Sequence, residues 1–102
     1  MVETVIRKRI EILGDTALVC GVTAAIDSVG ITGWMILPVS AGNGREGLWH
    51  EERVLGTDKS LVLSVASQEK ALALAEALAP VLTSHGLLLT MWDVKVIRGE
   101  CF

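Results

Sequence analysis

From Glu3 to Leu13 the chain mixes β-branched and aliphatic residues with charged ones (Thr4, Val5, Ile6, Arg7, Lys8, Arg9, Ile10, Glu11, Ile12), a pattern that predicts an opening strand ended by Gly14-Asp15. Leu18, Val19, Val22, Ile26 and Val29 then recur at helical spacing behind Asp15, whose carboxylate suits an N-cap, so a first helix is predicted over residues 16–29. Gly30 ends it, because a residue without a Cβ enters the left-handed region at low cost. A largely apolar second strand follows over residues 31–40, with Pro38 confining that position to an edge or bulge. Residues 41–58 gather Gly42, Gly44, Gly47 and Gly56 with most of the central charges, the composition of an exposed functional loop. A third strand over residues 59–66 leads to Ser67, a cap for a second helix with the stripe Leu72, Ala75, Leu78, Ala79 and Leu82 and the polar side Glu69, Lys70 and Glu76. Pro80 should kink or shorten that helix. Ser84-His85-Gly86 makes a turn, and residues 87–97 form the last strand.

The order is βαββαβ. It predicts a ferredoxin-like α+β fold, a four-stranded antiparallel sheet with both helices on one face, in a single domain over residues 1–102.

Composition sharpens this in four ways. Of 102 residues 51% are apolar and 21% charged, which excludes disorder and leaves apolar surface for subunit packing. A net charge of −3 with dispersed basic residues excludes a polyphosphate partner such as nucleic acid, and Arg7-Lys8-Arg9 reads as a solvated edge. Residues 71–92 approach the length of a membrane span, but Glu76, Pro80 and the turn at 84–86 divide them, so no membrane insertion is expected. Cys20 and Cys101 match no zinc or redox spacing, and no secretory signal precedes Glu3. A cytoplasmic protein is expected, with Cys20 buried in the first helix.

Chemistry concentrates in Gly42-Asn43-Gly44-Arg45-Glu46-Gly47, where glycines let backbone amides approach an anion and Arg45 offers a fork of donors. As an isolated motif it equally describes a hairpin turn. The longer stretch Gly-Ile-Thr-Gly-Trp-Met-Ile-Leu-Pro-Val-Ser-Ala-Gly-Asn-Gly-Arg-Glu-Gly-Leu-Trp over residues 30–49 resembles the second strand and T-loop base of PII-like signalling proteins of the nitrogen-regulatory PII superfamily. Trp92-Asp93-Val94-Lys95-Val96-Ile97-Arg98 looks like that family's last strand.

The resemblance implies a homotrimer with an adenine nucleotide in each intersubunit cleft. It implies nucleotide contacts at Gly42, Gly44 and Arg45 (the Gly-x-Gly-Arg turn), at Gly33 and Trp34 near the adenine, and at Arg98, the first of two terminal phosphate-binding arginines. Three departures stand out. Glu100 replaces the second arginine, Glu46 replaces the glutamine after the T-loop arginine, and His85-Gly86 runs straight into Leu87-Leu88-Leu89 without a Gly-Asp-Gly-Lys loop. Two carboxylates where a triphosphate needs donors disfavour ATP relative to ADP or AMP. The short 47–59 connection and the lack of any tyrosine, which excludes uridylylation of a tyrosyl hydroxyl, resemble the compact carboxysome-associated and transporter-associated branch. Its members bind ADP, AMP or cyclic AMP and sometimes bicarbonate.

Other residues carry weaker signals. His50, Glu51 and Glu52, with Cys101, are the candidate ligands of an alternative reading, a trimeric divalent-metal-binding protein of the copper-tolerance type. His85 suits a helix C-terminus better than a metal, and Trp49 suits a partner or the core equally. No nucleophile, base and orienting group assemble into a triad, so no enzyme is inferred and no metal is required. The expected function is effector-dependent regulation of a transporter or enzyme partner through the 42–58 loop.

Overall fold

A computed structural model describes residues 2–44, 47–50 and 58–97. The elements are β1 (Thr4–Asp15), α1 (Val19–Ser28), β2 (Met35–Val39), β3 (Ala41–Gly44), β4 (Gly47–His50), β5 (Lys59–Ala66), α2 (Gln68–Ser84) and β6 (Leu88–Ile97). The main sheet has the antiparallel order β2-β5-β1-β6, and β3 pairs with β4 in a separate ribbon. The expected ferredoxin-like arrangement is present, with the ribbon added within the segment expected to be loop.

Alternation along the central strands decides the faces. Ile10 and Ile12 of β1 and Ser60, Val62, Ser64 and Ala66 of β5 are buried together, and Ile12 pairs with Val62. Val22 and Ile26 of α1, with Ala71, Leu74 and Leu78 of α2, close the core over them. The opposite face of the sheet carries Leu61, Leu63 and Val65 beside Met35, Leu37, Leu88 and Trp92, the last four exposed.

Several boundaries move from their sequence-based positions. β1 continues through Gly14 and Asp15 because these pair with Ser60 and Lys59. Asp15 therefore caps nothing: its carboxylate accepts from Lys59 Nζ at 2.5 Å, and α1 begins only after a 3-10 turn over Thr16–Leu18. Residues 31–34 are not strand; they are the run-out of the α1 terminus. In α2 the buried stripe is Ala71, Leu74 and Leu78, and Leu72 is 52% exposed. Pro80 does not end the helix, which continues to Ser84, whose hydroxyl donates to the Pro80 carbonyl. Cys20 is exposed. Arg7-Lys8-Arg9 lies on a central strand, with Lys8 bridging to Asp93 at 2.7 Å and Arg9 set 5.8 Å from the Trp92 ring centroid. Ser67 caps α2 as expected, accepting from Lys70 N, and Pro38 lies on the edge strand β2.

Candidate functional site

The turn that carries Gly33 and Trp34 is built from the end of α1. Gly30 takes φ +85° and its N–H donates to Asp27 O, while Ile31 N–H donates to Ile26 O, the paired bonds of a Schellman terminus. Side chains then fix the following residues. Lys70 Nζ donates to Gly30 O at 2.9 Å and Ser64 Oγ to Gly33 O at 2.6 Å. Trp34 Nε1 donates to Asp27 Oδ1 at 3.1 Å, and 44% of Trp34 remains exposed. The residue expected beside a base is thus an exposed aromatic on a turn held by side-chain hydrogen bonds.

Gly42 and Gly44 lie on the β3–β4 ribbon, where Gly42 pairs with Trp49 and Gly44 with Gly47. The ribbon continues from β2, whose last residue, Val39, pairs with Lys59, itself opposite Asp15. The foot of the ribbon is tied to the start of the α1 segment: Thr16 N–H donates to Asp58 O, and the Thr16 and Ser60 hydroxyls lie 2.8 Å apart. One carboxylate oxygen of Asp58 is buried there with no hydrogen-bond partner. The His85-Gly86 turn reaches the same end, since Leu88 begins β6 opposite Leu13. Gly86 has φ +66°, and the imidazole Nδ1 of His85 lies 2.8 Å from Ser84 Oγ at the α2 C-terminus.

The last strand leads the other way. Ile97 pairs with Thr4 at the far end of β1, which at about 3.3 Å per residue is roughly 36 Å from the Asp15 end. Trp34 enters β2 one residue before Met35, which pairs with Leu63, so it lies between the two ends on the opposite edge from β6. Arg45 and Arg98 lie outside the described residues, as do Glu46, Glu51, Glu52, Glu100 and Cys101; for His50 the strand is described but not the side chain. Even so, the two flanking segments diverge. Within one chain the ribbon and the end of β6 do not share a cleft.

Sequence reasoning overlooked Asp27, Ser64 and Lys70. The available signal was Asp27 and Trp34 on either side of a terminating glycine; the partners Ser64 and Lys70 are 31 and 40 residues away from the carbonyls they hold. A separate apolar groove of about 240 Å3 between α1 and α2, walled by Gly21, Ala25, Ala77 and Val81 with His85 at its rim, contains none of the expected contacts. No cluster of metal-ligating side chains forms among the described residues, and no described helix is long and apolar enough to cross a membrane.

The family model for nitrogen regulatory protein P-II matches residues 7–101. No curated protein matches the chain significantly in sequence. Among solved structures, CPII, a nitrogen regulatory PII-like protein from Thiomonas intermedia K12 bound to ADP, AMP and bicarbonate, superposes with a TM-score of 0.91 at 20% identity, covering 100% of this chain and 98% of that one. A PII-like signalling protein from Thermus thermophilus gives 0.82 at 20% identity, covering 98% of each chain. The GlnK–ATP complex of B. subtilis gives 0.62 at 13% identity, covering 87% of this chain and 82% of that one.

Proposed function

Because the chain belongs to the nitrogen regulatory P-II family, whose members are regulators and not enzymes, we propose that it is a cytoplasmic sensor that binds an adenine nucleotide between the subunits of a homotrimer. The observation that carries this reading is the placement of the expected contacts. Gly42 and Gly44 stand at one end of the sheet and the β6 terminus leading to Arg98 at the other, so a phosphate held by both needs two copies of the chain. The apolar residues of the open face of the sheet supply the means of assembly. Met35, Leu37, Leu88 and Trp92 are exposed there beside Leu61 and Leu63, apolar side chains flanking the Arg9–Glu11 pair of the central strand, and exposed apolar groups clustered in this way mark interaction surfaces.

In the cleft, the Gly42 and Gly44 backbone and Arg45 of one subunit meet the phosphate, and Arg98 of the next completes its charge-assisted bonds. Gly33 and Trp34 receive the adenine. ADP or AMP is favoured over ATP, since Glu46 and Glu100 repel further negative charge. Bicarbonate is a candidate second ligand, because CPII binds it together with the nucleotides. Occupation of the cleft sets how the 42–58 segment meets a transporter or enzyme partner. Isothermal calorimetry against AMP, ADP, ATP and cyclic AMP, with and without bicarbonate, tests the reading. Binding of AMP or ADP at one site per subunit supports it, and no nucleotide binding by an intact trimer overturns it.

A further inference from the structure

We propose that Asp27 is a positioning residue that turns Trp34 into a preorganised stacking platform for the base, a proposal that rests on the nucleotide-binding reading above. An exposed tryptophan on a surface turn ordinarily samples several rotamers and loses that freedom when a ligand orders it. Trp34 has given it up in advance. Its backbone is held by Ser64 through Gly33 O and by Lys70 through Gly30 O, and its ring by Asp27.

The indole N–H is the ring's only polar group and donates only. With that donor committed to Asp27, the exposed part of the ring presents carbon alone, which selects a planar, stackable ligand over one recognised by hydrogen bonds. The carboxylate also places negative charge on the α1 side of the ring. That charge disfavours a phosphate beside the C-terminal end of α1.

The bond itself is the structural cause. Asp27 lies in the last turn of α1, seven residues before Trp34, and the reversal at Gly30 brings the two side chains together. Asp27 is exposed, and carboxylate charge at a helix C-terminus is unfavourable to the dipole. Its carboxylate finds a partner in the indole N–H.

The test compares AMP with ribose 5-phosphate, which keeps the phosphate and loses the base, by calorimetry on the assembled protein. Asp27→Ala is expected to weaken AMP about three- to tenfold, the loss of one hydrogen bond's ordering, and to leave ribose 5-phosphate affinity unchanged. Asp27→Asn, whose amide oxygen still accepts from the indole, restores AMP binding. On a Trp34→Phe background, where no indole N–H exists, Asp27→Ala adds no further loss. Parent-like AMP binding by Asp27→Ala, with AMP weakened in Trp34→Ala, overturns this proposal and leaves the nucleotide reading standing. Equal losses for AMP and ribose 5-phosphate also overturn it, since they report charge or folding instead of base positioning. Parent-like AMP binding by Trp34→Ala removes Trp34 from the site, and this proposal with it. Should Asp27→Ala melt below the assay temperature, Asp27→Ser, too short to reach the indole, takes its place.

Discussion

Gly14 and Leu87 leave no room for a methyl group between them: a Cβ on Gly14 would lie 2.2 Å from Leu87 Cδ2. Gly14 occupies β1 opposite Ser60, and Leu87 is the residue through which the α2 turn enters β6. Gly14→Ala is expected to cost up to about 1 kcal/mol, the range for an off-rotamer side chain, because the clash meets only the terminal methyl of Leu87, which must swing aside. Urea unfolding of Gly14→Ala, Leu87→Ala and the double variant checks this. The double variant should lose less than the sum of the singles, because the clash disappears with the leucine side chain.

Gly30 ends α1 at φ +85°, so Gly30→Ala meets a left-handed backbone whatever space surrounds it. The expected cost is about 1–2 kcal/mol. The measurement is a denaturation midpoint, with Gly21→Ala as contrast. Gly21 lies within α1 with nothing within 4 Å of a built Cβ, so alanine there should be neutral or gain up to about 1 kcal/mol.

Assembly through the open sheet face predicts that one charge there disrupts it. Trp92→Glu removes an exposed aromatic and the ring against which Arg9 rests. Light scattering at micromolar concentration should give a trimer for the parent and a smaller species for Trp92→Glu. A monomeric parent would sink the intersubunit site.

Arg45→Ala and Arg98→Ala should each weaken AMP or ADP by about 1–3 kcal/mol. The sharper experiment mixes them. Trimers reassembled from equal amounts of the two variants contain about one cleft in four with both arginines intact, because each cleft draws Arg45 and Arg98 from different copies. Calorimetry should recover that fraction of high-affinity sites. A site contained in one chain would recover none.

ATP should bind more weakly than ADP, and Glu46→Gln should narrow the gap by removing one repulsive carboxylate. His50→Ala should leave nucleotide affinity unchanged. ATP binding tightest in the parent, measured by the same titrations, refutes the assignment of Glu46 and Glu100 as selectivity elements.

The element order was legible from the pattern, and in β1 Ile10 and Ile12 flank Glu11 as alternation on a half-buried strand requires; β5 was legible as a strand but not in its face, because Ser60 and Ser64 are buried with Val62 while Leu61, Leu63 and Val65 lie on the other side. The face of α2 was not legible either. Residues 71–79 are apolar almost throughout, so several stripes are equally hydrophobic, and the Ala71-Leu74-Leu78 choice falls to distant contacts such as Lys70 with Gly30. Asp15 was misjudged for a related reason: cap and ion pair are both open to it locally, and Lys59, 44 residues away, decides. The glycine turn and the last strand identified the family, but not the separation of their ends. That separation follows from strand register, which sequence pattern leaves open until the pairing is known.

With the ribbon and the β6 terminus at opposite ends of one sheet, a nucleotide bound between copies, as proposed, would have an affinity that depends on protein concentration. A ligand that binds only where two copies meet draws free chains into the assembled state, and by reciprocity assembly tightens the ligand. On dilution the apparent dissociation constant should therefore rise as the trimer comes apart, and saturating AMP should shift the dissociation midpoint to lower protein concentration. On that reading the cell's chain abundance would be a second input alongside the nucleotide, sensed through the same clefts.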